Sequence, residues 1–140
     1  MGQSQSVSRK VNFEDIQYLL NKSKEYILIN TLNEKEQDCL IKNTVSIENE
    51  VKYINHFMSE NISINIVIYD KNANAPNLMK KYEQLVGLGF TNVFIYPGGL
   101  FEWLLLQDIY GFDDFPTTKN ERDHLKYKGK SVFTENLLMN

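Results

Sequence analysis

The stretch Ile64-Asn65-Ile66-Val67-Ile68-Tyr69 constrains the fold more than any other, because it is β-branched, uncharged and cut off abruptly by Asp70. A run of this kind predicts a strand. Tyr26-Ile27-Leu28-Ile29 is a second continuous apolar run and Asn92 to Tyr96 a third. Continuous runs without polar alternation mark strands buried on both faces, as in parallel sheets. Helical patterns lie between them. Asn12 caps a helix over about 13 to 21, with Phe13, Ile16, Leu19 and Leu20 on one face and Glu14 and Asp15 in its first turn. Val51, Ile54, Phe57 and Met58 repeat at helical spacing over 48 to 60, after a weaker strand at Thr44 to Ile47. Pro76 opens a third helix, with Leu78, Met79, Tyr82, Leu85 and Val86 on one face and Gly87 and Gly89 at its end. After the turn Pro97-Gly98-Gly99, residues 100 to 110 are apolar most of the way round, which predicts a largely buried helix. Alternating strands and helices imply an α/β domain with a mostly parallel central sheet flanked by helices.

At 140 residues, 42% hydrophobic and 24% charged, the chain suits one domain. A formal charge of −3 provides no global positive field, so nucleic acid is not an expected partner. The single cysteine, Cys39, excludes an internal disulfide and the usual multi-thiolate zinc site, and suits a reducing compartment. The longest apolar runs fall well short of the roughly 20 residues of a membrane span, and Gln3 to Ser8 lack a secretory pattern, so a cytoplasmic location is expected. His56 and His124 are isolated, and neither a metal nor another cofactor is expected.

The segment from Ile66 to Trp103 resembles the C-terminal half of a rhodanese domain. The resemblance is carried by an apolar strand, a short loop, a helix, and Leu88-Gly89-Phe90-Thr91-Asn92-Val93-Phe94-Ile95-Tyr96-Pro97-Gly98-Gly99 with Trp103 four residues on. It extends in layout over about 12 to 111. In active members of that family a cysteine opens the loop, and backbone N–H groups, usually with an arginine, cradle its persulfide or a thiosulfate anion. The resemblance therefore places the degenerate active-site loop at Asp70, Lys71, Asn72, Ala73, Asn74 and Ala75. Asp70 stands at the cysteine's position, Ala73 at that of a usual glycine and Ala75 where a basic residue is common. A carboxylate carries no sulfane sulfur and repels an anion. Asn30 and Leu32 stand where the family has an acidic and basic pair. The expected outcome is a catalytically inactive regulatory or binding module with no catalytic residue and a protein partner.

Two enzymatic alternatives use other groups. Cys39 lies after the first strand and could act as a nucleophile in sulfur transfer, but no basic residue is placed beside it to favour the thiolate. An aspartate at a strand end can form an acyl-phosphate, yet Asp70-Lys71-Asn72-Ala73-Asn74 lacks the second carboxylate that such phosphate chemistry uses. The ordinary reading of Asp70 is a cap for its own turn.

The organisation expected is a flexible segment over 1–11, a rhodanese-like domain over 12–111 and a polar C-terminal extension over 112–140. The extension is expected to dock through Phe112, Phe115 or Phe133, with Thr118 and Glu121 at capping-box spacing for a short helix. Met1-Gly2-Gln3-Ser4-Gln5-Ser6 matches the N-myristoylation pattern, with Gly2 as the lipidation site and Arg9 and Lys10 as slight basic support. One such chain binds membrane only marginally, which implies reversible, peripheral contact or anchoring shared with a partner. With the frequent Asn, Lys and Ile, the pattern also fits a viral, virion-associated protein. Co-expression with a myristoyltransferase is expected to add one myristoyl group by intact mass; an unmodified Gly2 would remove the membrane expectation.

Overall fold

The computed structural model describes residues 9–134, so Gly2 with its acylation pattern lies outside them. Three parallel strands, β1 (Tyr26–Asn30), β2 (Asn65–Tyr69) and β3 (Val93–Ile95), form a sheet in that order. The helices α1 (Phe13–Leu19), α2 (Ile47–Glu60), α3 (Pro76–Gly87) and α4 (Gly99–Tyr110) accompany them. Short 3-10 turns occur at Glu34–Glu36 and His124–Tyr127. The α/β class with a parallel, helix-flanked sheet is the one read from the sequence. No helix among the described residues is long and apolar enough to cross a membrane.

Pairing of Ile27 with Ile66, and of Ile66 with Val93, aligns side chains in rows across the sheet. Strand alternation then divides the core in two. Leu28, Val67, Tyr69 and Tyr96 join Ile16 of α1 and Leu100, Trp103 and Leu104 of α4 in one cluster. Ile27, Ile29, Ile66, Ile68, Val93 and Ile95 meet Ile54 of α2 and Leu78 and Leu85 of α3 in the other. Both faces are covered, which is why the strands carry no polar alternation. The α1 start is fixed by a reciprocal capping box between Asn12 and Asp15.

Several local expectations change. Thr44 to Ile47 is not a strand: only Thr44 bridges to Leu28, and Ile47 already belongs to α2. Asn43 adopts a φ of 71° and the Thr44 hydroxyl donates to the Ile41 carbonyl at 2.6 Å, so local side-chain bonding favours a turn over a ladder. The helix after Gly98 is buried on one face only, with Ile109 68% and Tyr110 65% exposed. A helix lying on a sheet covers it with one stripe, whatever the other positions contain. Pairing begins at Arg9, within the segment expected to be flexible, because residues 9–11 line the otherwise open edge of β3: Ile95 N–H donates to the Arg9 carbonyl and Val11 N–H to the Ile95 carbonyl.

Two residues beyond Gly111, Phe115 and Tyr127, belong to the first cluster. Phe115 and Tyr127 are buried, whereas Phe112 and Phe133 are exposed. Phe115 packs against Phe13, Tyr110 and Trp103, edge-on to the last at 5.0 Å. The Trp103 indole donates to the Pro116 carbonyl at 3.1 Å, and Ile41 bridges to Thr117. The capping box expected at Thr118 does not form, because the Thr118 hydroxyl donates to the Asp38 carbonyl and accepts from Leu40 N–H. Replacing Phe115→Ala is expected to cost about 3–5 kcal/mol in urea unfolding, as for other large core aromatics. A loss below about 1 kcal/mol, the range of surface changes, would contradict its placement in the core.

Candidate functional site

Parallel strands gather their C-terminal ends on one side of the sheet, and there the chain brings together Thr31 after β1, Asp70 to Ala75 after β2, and the N-terminus of α4. Crevices beyond the carboxyl ends of strands are where open α/β sheets bind ligands. The loop between β2 and α3 is short, because Pro76 begins α3 immediately after Ala75.

Gly99 sets the loop's position. Its φ is +63°, and a Cβ there would lie 2.4 Å from the Asp70 carbonyl oxygen and 2.6 Å from that of Lys71. Only a residue without a side chain fits so close to another backbone. The apposition lets Leu100 N–H donate to the Asp70 carbonyl at 3.1 Å and Phe101 N–H to the Lys71 carbonyl at 3.0 Å. The first amides of α4 are thereby spent on holding the loop.

The Asp70 side chain is 3% exposed and turns back on the fold. One carboxyl oxygen accepts from its neighbour's amide, Lys71 N–H, at 2.6 Å, and the other accepts a short hydrogen bond from the Thr31 hydroxyl. Thr31 N–H also donates to the Tyr69 carbonyl at 2.9 Å, so Asp70 and Thr31 tie the ends of β2 and β1 together. Burial pushes the Asp70 carboxyl above the ordinary carboxylate range, and the Thr31 and Lys71 hydrogen bonds oppose the shift.

The remaining loop residues divide by role. Lys71 pairs with Glu36 at 3.1 Å. The Asn72 side chain accepts from Asn74 N–H at 2.9 Å and donates to the Tyr127 carbonyl at 2.9 Å, linking the loop to the C-terminal segment. Ala73 and Ala75 offer no side-chain polar group. Asn30 and Leu32 are both buried; the Asn30 amide pairs reciprocally with Gln37, and its oxygen also accepts from Leu32 N–H. Those positions therefore supply a neutral, internally satisfied turn.

An open cleft of about 650 Å³ lies over this loop, lined by Thr31, Asp70, Lys71 and Asn74 and also by Lys126, Lys128 and Lys130. Cys39 does not line it. The Cys39 thiol is buried, donates to the Lys119 carbonyl at 3.4 Å, and has its pKa pushed up by burial, the reverse of what a nucleophilic thiolate needs. His56 stacks edge-on with Phe57 on α2, away from the cleft. Among the described residues no group of three His, Cys, Asp or Glu side chains gathers as a metal site would require.

Thr31 and the three lysines are the site residues that the sequence reading passed over. Thr31 carries no signal, since its role depends on strand pairing. Lys126-Tyr127-Lys128-Gly129-Lys130 does carry one: a single aromatic among alternating lysines, where burial of Tyr127 turns its neighbours outward.

Comparison with known proteins agrees with this architecture. The family model of the rhodanese-like domain matches residues 13–106. The BH2092 protein of Bacillus halodurans superposes with a TM-score of 0.62 at 16% identity, covering 96% of this chain and 93% of its own. Thiosulfate sulfurtransferase of Pseudomonas aeruginosa gives 0.57 at 14% identity, with 74% of this chain and 20% of that one covered. Ygr203w, a yeast protein tyrosine phosphatase of the rhodanese family, gives 0.55 at 12% identity over 79% of this chain and 91% of its own. No curated protein sequence matches.

The raised Asp70 pKa has a definite sign. Between the ordinary Asp value of 3.8 and the raised folded value, the folded chain keeps a proton that the unfolded chain has released, so stability falls as pH rises through that window. The Asp70→Asn variant retains the acceptor for Lys71 N–H and cannot ionise. Its urea midpoint relative to the parent is expected to rise from pH 3.8 upward and then level off; a difference that stays flat or falls would mean the carboxyl is not held high.

Proposed function

This chain belongs to the rhodanese-like domain family, and on that premise we propose that it is a non-catalytic binding module rather than a sulfurtransferase. The observation that carries the reading is the commitment of both Asp70 carboxyl oxygens, one to Lys71 N–H and one to the Thr31 hydroxyl. At the position where active relatives hold a sulfur nucleophile above the loop, this chain holds a buried carboxyl that closes the loop onto β1. Sulfur transfer needs a thiolate that can carry the sulfane sulfur, and a carboxylate cannot do so. Asn30, Leu32, Ala73 and Ala75 add to the loss, because none provides a charge to hold an anion. The module presents the loop and its cleft to a protein partner, and a myristoyl group on Gly2 brings it reversibly to a membrane.

The second reading is an enzyme of sulfur or phosphate transfer using Cys39 or Asp70. One structural neighbour is named as a phosphatase of this family, so phosphate is the arm to test. Against it, an aspartyl nucleophile needs a free, ionised oxygen facing the substrate, and both Asp70 oxygens are occupied. Cys39 lies outside the cleft with its thiol favoured over the thiolate.

Two assays on the full chain decide between the readings. Incubation with thiosulfate and cyanide is expected to form no thiocyanate above a heat-killed control, and p-nitrophenyl phosphate is expected to stay unhydrolysed. Turnover in either assay that disappears in the Asp70→Ala or Cys39→Ser variant would replace the binding module with an enzyme.

A further inference from the structure

The lysines beside the loop bear on the chemistry of a partner. Tyr127 is 2% exposed in the first core cluster, and its carbonyl accepts from the Asn72 side chain. The backbone around it is therefore fixed beside the loop, and Lys126, Lys128 and Lys130 line the cleft together with Lys71. The acids of the same lining are Glu36, paired with Lys71, and Asp70, buried and hydrogen-bonded. Lys126 is held by Glu121 at 2.6 Å. Among the described residues, Lys128 and Lys130 form no ion pair.

A local excess of positive charge on a chain of net charge −3 is a departure that its overall composition does not produce. Clefts lined by one sign of charge concentrate ligands of the other. The side-chain amides of Asn74 and Asn77 add neutral hydrogen-bond donors to the same lining. Carboxylate groups accept from both ammonium and amide donors. At about 650 Å³ the space exceeds a single small anion and accommodates several residues of chain. Its concavity favours a protruding peptide over a flat lipid surface.

We propose that this cleft binds an acidic peptide segment of a protein partner, with Lys128 and Lys130 as its principal charge contacts. The inference rests on reading the domain as a binding module and deepens it by assigning the partner's charge. The lysines brought by the C-terminal segment stand in for the basic residue missing at Ala75, but they form a longer, more open rim.

Fluorescence anisotropy of a fluorescein-labelled hexaglutamate peptide with the full-length protein tests this. Binding is expected at low salt and is expected to weaken as ionic strength rises, because exposed charge contacts are screened. The double substitution Lys128→Glu and Lys130→Glu should weaken it by about tenfold or more, since it reverses rim charges rather than removing them. The control Lys24→Glu with Lys52→Glu makes the same change in net charge away from the cleft and should alter binding by less than about twofold. Circular dichroism and the urea midpoint should be unchanged in both variants. The proposal is overturned if hexaglutamate does not bind the parent, if the two variants lose binding equally, or if the cleft variant keeps it. It is also overturned if millimolar inorganic phosphate displaces the peptide fully, which would make the cleft a simple anion site. Binding of phosphatidylserine vesicles that depends on Lys128 and Lys130, with no peptide binding, would assign the rim to a membrane instead. None of these failures bears on the sulfur and phosphate assays, whereas turnover in those assays would overturn the module reading even with the peptide bound.

Discussion

The contact between Gly99 and the carbonyls of Asp70 and Lys71 is the constraint on which the site end of this domain depends. It is a backbone-to-backbone approach with room for no Cβ, and it turns the first amides of α4 toward the loop after β2. Through it α4 is seated at the end of the sheet, where Leu100, Trp103 and Leu104 enter the first core cluster. Trp103 in turn carries Phe115 and Pro116, and through them the C-terminal segment. One close approach thus orders the loop, the helix and the segment that Asn72 ties to the loop.

Within that frame Asp70 has a structural task. A buried carboxyl is costly unless its oxygens are satisfied, and here the Lys71 amide and the Thr31 hydroxyl satisfy them. The same two bonds hold the side chain in place at the edge of the cleft. Nearby, Asn30 closes a turn with Gln37, and Leu32 fills the core. The polar side chains lining the cleft at this end belong mostly to lysines and asparagines.

Much of the fold was legible because its signals are local. Uncharged β-branched runs marked all three strands, and the Asn12 cap and Pro76 marked helix starts that the structure places at Phe13 and Pro76. Thr44 to Ile47 misled, because β-propensity there was outweighed by hydrogen bonds between the Thr44 hydroxyl, the Ile41 carbonyl and the Tyr69 hydroxyl. The chain after Gly111 was legible in part: docking through Phe115 is expected from the sequence and found, whereas the burial of Tyr127 carried no such signal. Two anchors separated by polar residues leave no periodicity to detect.

The sequence by itself determined the α/β class, the position of the altered loop and the absence of a cysteine from it, since these follow from residue type and from spacing along the chain. Only the tertiary structure decided what Asp70 does instead and what faces it. Its partner Thr31 lies 39 positions away, and Asn72 meets Tyr127 across 55. Such contacts arise because parallel pairing brings the strand ends together and burial of Tyr127 returns the chain to the loop. No local pattern encodes either distance; both follow from closing one core over two faces of a sheet.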